Sequence, residues 1–102
     1  MYRIEYLPLA RQDMIDIMRY ISKNLHNLSA AEKLTEEMIE AAEKLAHFPY
    51  INAVVVPLKP LKYEYRKLLV QNYIMFYWVD EMKKTVTVAR IIYARRDYEK
   101  VL

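Results

Sequence analysis

The sequence contains no glycine and no cysteine, and only two histidines, His26 and His47, in 102 residues. Without cysteine there is no disulfide framework and no thiolate nucleophile, and two histidines are too few for a zinc site of the usual donor sets. Without glycine there can be no phosphate-cradling glycine loop and no nucleophile elbow, and every tight turn must use asparagine, aspartate or a longer loop to reach positive φ. Long hydrophobic runs are missing too: the longest, Tyr73 to Val79, falls far short of the roughly 20 residues that a membrane-spanning helix needs. The N-terminal MYRIEYLP carries charges at positions 3 and 5 and lacks the apolar stretch of a signal peptide. These absences lead to the expectation of a soluble, cytoplasmic protein with no cofactor, no metal and no membrane partner.

What is present is enough for one domain. Hydrophobic residues make up 55% and charged residues 28% of the chain, so it can bury a single core, and no segment is polar enough to stay disordered. Charge is unevenly placed. Residues 1 to 56 hold six Lys and Arg against eight Asp and Glu, whereas residues 57 to 102 hold ten against five. A basic C-terminal half points to an anionic partner, either nucleic acid or an acidic protein segment; a solvated basic face is the bland alternative.

Periodicity supplies the elements. Tyr2, Ile4 and Tyr6 alternate with Arg3 and Glu5 as in a half-buried strand, and Pro8 suits the first turn of a following helix. Met14, Ile17, Ile21 and Leu25 recur at helical spacing, which predicts an amphipathic helix to about Leu25. Ser29 and Glu32 form a capping-box pattern that predicts the start of a second helix, with Leu34, Met38, Ala41, Ala42, Leu45 and Phe48 as its buried stripe and Pro49 as its stop. The short link at 26–28 makes the two helices an antiparallel hairpin. Residues 50 to 64, with Pro57 and Pro60, read as an irregular connection that holds a short edge strand at Val54–Val56.

Tyr65–Val70 and Tyr73–Val79 then form a β-hairpin about Gln71 and Asn72, with Asn72 expected to take the positive φ. Thr85–Tyr93 makes the last strand, with Val86, Val88 and Ile92 on one side and Thr87, Ala89, Ile91 and Tyr93 on the other. The fold class expected is α+β, in the order β-α-α-β-β-β: an N-terminal strand and a helical hairpin packed on one face of a small, mainly antiparallel sheet. The opposite face is expected to be open to a partner.

The chemistry left to such a chain is basic and aromatic. The acidic residues Glu32, Glu36, Glu37, Glu40 and Glu43 follow helical spacing as a solvated face does. Arg66 and Lys67 open one strand, Arg90 lies within the last, and Arg95 and Arg96 follow it, interleaved with Tyr63, Tyr65, Tyr73, Tyr77, Tyr93 and Tyr98. Arginine can grip a phosphate or carboxylate through two parallel hydrogen bonds, and a tyrosine ring can stack on a base.

Taken in order, YRIEYLPLARQDMIDIMRYI, the helix ending in LAHFP, the hairpin EYRKLLVQNYIMFYWV and the closing VARIIYARRDY resemble the RelE/ParE superfamily, the toxins of type II toxin-antitoxin modules. That resemblance implies a cognate antitoxin, a small protein whose C-terminal segment folds onto the toxin. It also implies one of two activities: ribosome-dependent cleavage of messenger RNA, as in RelE-like members, or poisoning of DNA gyrase without nuclease chemistry, as in ParE-like members. By the resemblance, Arg66 and Arg96 match nuclease positions, while Leu68, Ile74 and Leu102 stand where a lysine, an arginine and a tyrosine are expected, with Tyr98 as a shifted substitute for the last. If the chain were a nuclease, Arg66, Arg96 and Tyr98 would carry the chemistry. Leucine and isoleucine supply no acid or base, and arginine, with a pKa above about 12, takes up protons poorly as a base. The expectation is therefore a binding toxin, with Arg66, Lys67, Arg90, Arg95, Arg96 and Tyr98 as its target- or anion-binding surface and no catalytic residue assigned. The alternatives are an mRNA interferase and an inactive relative that keeps only antitoxin binding.

Overall fold

The structure is a computed structural model that describes residues 1–57, 60–96 and 101–102. Among them, four strands and two helices follow the expected order. Strand β1, Arg3–Tyr6, leads straight into helix α1, Pro8–Arg19, whose first position is the proline, where the missing N–H removes no intrahelical bond. The helix then widens into a π-helical turn, Tyr20–Asn24, and does not continue as a regular α-helix to Leu25. His26 reverses the chain at φ 50°. Helix α2, Leu28–Lys44, is capped two residues earlier than the Ser29 capping box predicts: the Asn27 side chain accepts from the Ala30 N–H at 3.1 Å, and the Ser29 hydroxyl donates to the same oxygen at 3.2 Å.

At its other end α2 finishes at Lys44, short of Pro49. Phe48 thus leaves the predicted buried stripe and stands 63% exposed. Strands β2, Arg66–Val70, β3, Tyr73–Asp80, and β4, Thr85–Tyr93, form an antiparallel meander, and β1 joins the far side of β4 in parallel, which gives the order β1-β4-β3-β2. Tyr65 precedes β2, and the predicted edge strand shrinks to one bridge, Val54 with Arg66. At the β2–β3 turn Gln71, not Asn72, takes the positive φ of 52°.

The largest departure from simple alternation lies in β4. Phe76 pairs with Arg90 while Tyr77 pairs with Val88, so Ala89 is an extra residue, a β-bulge. The bulge exchanges the faces beyond it. Ile91 therefore joins Val86 and Val88 in the core against Leu34, Met38, Ala42 and Leu45 of the helical side, while Ile92 goes to the opposite face with Ala89, contrary to the strict period of two. That opposite face is not open: Val55, Tyr65, Leu61, Trp78, Val101 and Leu102 cover Phe76, Ala89 and Ile92 as a second core. The irregular 50–65 segment thus forms a structural layer, because a sheet with apolar residues on both faces must bury both.

Candidate partner-binding surface

The residues singled out from the sequence meet different fates. Arg66 lies at the head of β2, where its guanidinium donates to the carbonyls of Tyr50 and Asn52 at 3.2 and 2.7 Å, faces Glu64 at 3.5 Å and lies over the Tyr50 ring at 5.0 Å. With its side chain only 16% exposed, it pins the turn after α2 to the sheet. Arg90 is held likewise. Its Nε and Nη2 donate to the two carboxylate oxygens of Asp13 at 2.8 and 3.1 Å, and the Ile91 N–H donates to Asp13 at 2.9 Å. Beyond the end of β1 the edge of β4 has no strand partner, and Asp13 supplies the acceptor there. This bonding, ahead of the opposing cost of burial, holds the Arg90 pKa above its already high ordinary value.

Lys67 is exposed on β2, the edge strand, and its backbone N–H donates to Ala53 at 3.1 Å. Arg95 and Arg96 are exposed in the turn that follows β4, a turn closed by the Arg96 N–H on the Tyr93 carbonyl at 2.9 Å. Among the described residues neither arginine forms an ion pair. Tyr98 lies outside the described residues. Of the expected surface, then, Arg66 and Arg90 are committed to the fold, whereas Lys67, Arg95 and Arg96 present their charge to solvent.

The tyrosines divide in the same way. Tyr77 is fully buried, donates to the Pro49 carbonyl at 2.9 Å and accepts from Asn52 at 3.2 Å. Tyr63 stacks on Trp78 with ring centres 3.8 Å apart, and Tyr65 meets both rings edge-on. Tyr73 and Tyr93 pair edge-to-face at 5.7 Å at the end of the sheet that leads into Arg95 and Arg96. Burial, then Tyr93 and Tyr20, push the Tyr73 hydroxyl pKa upward, so three rings gather at this end.

One polar cluster escaped sequence reading altogether because its members are far apart in the chain. The Glu81 carboxylate accepts from Tyr2 at 2.8 and 2.7 Å and from Tyr50 and Lys84, tying together the start of β1, the turn after α2 and the β3–β4 turn. These donors hold the Glu81 carboxyl down at about 2, led by Lys84, and its carboxylate in turn holds the Tyr50 hydroxyl up at about 12. No sequence signal joins position 2 to position 81; only the fold does.

The two positions where the resemblance would place basic groups also separate. Leu68 packs with the helical-side core and Ile74 with the core on the other face, so they do not share a site. His26 and His47 are exposed in turns. Among the described residues no group of three His, Cys, Asp or Glu side chains is placed to hold a metal ion, and no helix is long and apolar enough to cross a membrane.

A strand-led helical hairpin on a four-stranded, mainly antiparallel sheet that ends in a basic turn agrees with the fold that the resemblance to type II toxins implies. Comparison with family models gives the particular branch: residues 4–98 match the ParE toxin of the type II toxin-antitoxin system, and the chain belongs to that family. Among solved structures it is similar to the chromosomal ParDE system of P. aeruginosa, with 16% identity, a TM-score of 0.73, and coverage of 93% of this chain and 98% of that one. It is similar also to the archaeal RelE-RelB complex of Pyrococcus horikoshii OT3, at 13% identity and a TM-score of 0.61 over 93% of this chain and 97% of that one. The intact E. coli RelBE complex follows at 20% identity and a TM-score of 0.55, over 94% and 100% of the two chains. Curated protein sequences give no match.

Proposed function

We propose that this toxin arrests growth by binding DNA gyrase, without cutting RNA, and that its activity is restrained by a cognate antitoxin encoded beside it. The observation that carries the reading is the commitment of Arg66. A nuclease needs a base for the 2′-hydroxyl proton, charge stabilisation on the phosphorane and an acid for the leaving oxygen, each proton-transfer group worth about 10²- to 10⁴-fold. Of the five positions the resemblance assigns to that work, one holds an arginine bonded to two backbone carbonyls, one a leucine in one core, one an isoleucine in the other and one Leu102, which leaves the exposed Arg96 as the matching group still free to meet a phosphate. Membership of the ParE family supports the same reading.

The surface left for a target is the basic end, Arg95 and Arg96, with Lys67 on the β2 edge and Tyr98 close by in sequence. Exposed arginines suit a protein–protein contact because the planar guanidinium both pairs with carboxylates and stacks on rings. Proteins of this kind act in the cytoplasm, where gyrase works. In a supercoiling assay with purified gyrase, the chain is expected to inhibit the reaction and to trap cleaved DNA, and reversing both charges (Arg95→Glu with Arg96→Glu) is expected to weaken inhibition at least tenfold. Gyrase that supercoils normally in a large excess of folded toxin overturns the proposal.

A further inference from the structure

The end of the molecule that carries Tyr73 and Tyr93 also holds an open cleft of about 700 Å³ between the helical hairpin and the sheet. Helix α1 packs on β4 and α2 on β2, so the cleft has two unlike margins. On the first lie the π-helical turn, with Tyr20, and the end of β4, with Tyr93. On the second lie the first turns of α2 and the β2–β3 turn, where Gln71 donates to Glu37 at 2.7 Å. The rings of Tyr20 and Tyr93 are 52% and 44% exposed, so each leaves aromatic surface open beside the cleft.

Polar groups that line it are open too. Among the described residues the hydroxyls of Tyr20, Tyr73 and Tyr93 and the side-chain amide of Asn72 make no hydrogen bond, although the Asn72 backbone carbonyl is taken by the Ala94 N–H at 2.8 Å. Hydroxyls and an amide both donate and accept. Ring surface beside such groups is what an unpaired base requires, because it stacks through its face and bonds through its edge. The charge is divided between the margins. Arg19, Lys23, Arg95 and Arg96, exposed and without an ion pair among the described residues, lie on the elements of the first. The acids Glu32, Glu36 and Glu37, with Lys33, lie on α2 at the second. A single nucleic-acid strand has the same division, with phosphates along one side and bases along the other.

We infer that this cleft holds a short stretch of single-stranded DNA, with its phosphates along Arg19, Lys23, Arg95 and Arg96 and its bases stacked on Tyr20 and Tyr93 and bonded by the Asn72 amide and the tyrosine hydroxyls. The inference rests on the gyrase reading for the choice of DNA, since the cleaved DNA that the toxin is proposed to trap offers free strands to such a cleft. It deepens that reading by having the toxin grip the DNA as well as the enzyme, which keeps the cleaved strands from being rejoined. Positive charge that tracks a backbone beside aromatic rings that take the bases is the general chemistry of single-strand binding, and it needs no particular sequence.

The test titrates the purified full chain into two fluorescein-labelled DNA strands of about 12 nucleotides, one of oligodeoxythymidine and one abasic with the same phosphates, and reads anisotropy. The thymidine strand is expected to bind about tenfold more tightly than the abasic one. Tyr20→Ser and Tyr93→Ser, each checked for folding by a melting curve, are expected to weaken the thymidine strand about tenfold and to leave the abasic strand within about twofold. Tyr20→Ser, at the more exposed ring, keeps the test decisive if Tyr93→Ser unfolds. Arg95→Glu with Arg96→Glu is expected to weaken both strands and to flatten the dependence on salt. Lys44→Glu with Lys83→Glu, the same charge change on exposed residues at the opposite end of the molecule, is expected to leave both strands within about twofold. Equal binding with and without bases, or a loss from the lysine pair as large as from the arginine pair, means a general basic surface and overturns the inference. An RNA strand held about tenfold more tightly than the DNA strand overturns it as well. A folded toxin that inhibits gyrase but holds no strand overturns this inference and leaves the gyrase reading standing, whereas one that holds the strand as described and leaves gyrase untouched bears out the site and overturns the gyrase reading.

Discussion

Replacing Asp13 by alanine removes three bonds at once: two from the Arg90 guanidinium and one from the Ile91 N–H. The side chains of the pair are only 18% and 14% exposed, so Arg90 would be left largely desolvated with no counter-charge, and the β4 edge would lose its acceptor where β1 no longer reaches. Deleting one partner of a buried pair costs about 3–5 kcal/mol, and the residual exposure argues for the low end, about 3 kcal/mol. For a chain of this size that corresponds to a fall in Tm of roughly 12–24 °C. The double variant Asp13→Ala with Arg90→Met removes the stranded charge as well and is expected to recover about half of the loss, about 1.5 kcal/mol, read by urea unfolding. If Asp13→Ala lowers stability by no more than an ordinary surface change, about 0.5 kcal/mol, then the pair does not fasten α1 to β4 and Arg90 returns to the set of available cations.

Further outcomes follow from the same contacts. Tyr77→Phe strands the buried Pro49 carbonyl and the Asn52 amide, and a loss of about 1–2 kcal/mol is expected by chemical denaturation, with the fold intact by circular dichroism. Deleting Ala89 removes the extra residue, and because Val88, Arg90 and Ile91 then alternate without a break and keep their β3 partners, Ile91 stays in the helical-side core; the variant is expected to fold, with a loss of about 1–2 kcal/mol by chemical denaturation. Because the folded Glu81 carboxyl is depressed from 4.5 to about 2, its contribution is present above pH 4.5 and is lost as pH falls towards 2, so the stability difference between wild type and Glu81→Gln should shrink over that interval. The Tyr50 hydroxyl, raised from 10.0 to about 12, works in the other direction: its contribution is present below pH 10 and is lost as pH rises through 12, and Tyr50→Phe should flatten that alkaline limb in a pH series of melting curves.

Much of the architecture can be read from local pattern because the signals are local. The alternation in β1, the Pro8 start, the apolar stripe of α2 and the aromatic meander each need only a few adjacent residues, and together they specify the topology. The departures come from longer-range effects. Ala89 looks like any strand residue, and only its pairing with β3 shows that it is extra, so Ile91 and Ile92 exchange faces without a sequence signal. Asn27 and Ser29 are both good caps, and the chain uses Asn27 because His26 takes the left-handed turn just before it. The site follows the same rule. Arginine's preference for strand ends and its capacity to bind anions look alike in sequence. What separates Arg66 and Arg90 from Arg95 and Arg96 is the presence of the Tyr50 and Asn52 carbonyls and the Asp13 carboxylate, which come from remote parts of the chain. The cleft could not be read at all, since its walls are three segments joined only by folding.

The central claim, that this toxin binds its target and does not cut RNA, is tested most directly by mapping 5′ ends of translated messages in cells as expression arrests growth, with DNA breaks scored in the same cultures. The account predicts message ends that match those of uninduced cells while gyrase-linked DNA breaks accumulate. New cuts within translated messages that vanish when translation is blocked, with DNA left intact, would contradict it.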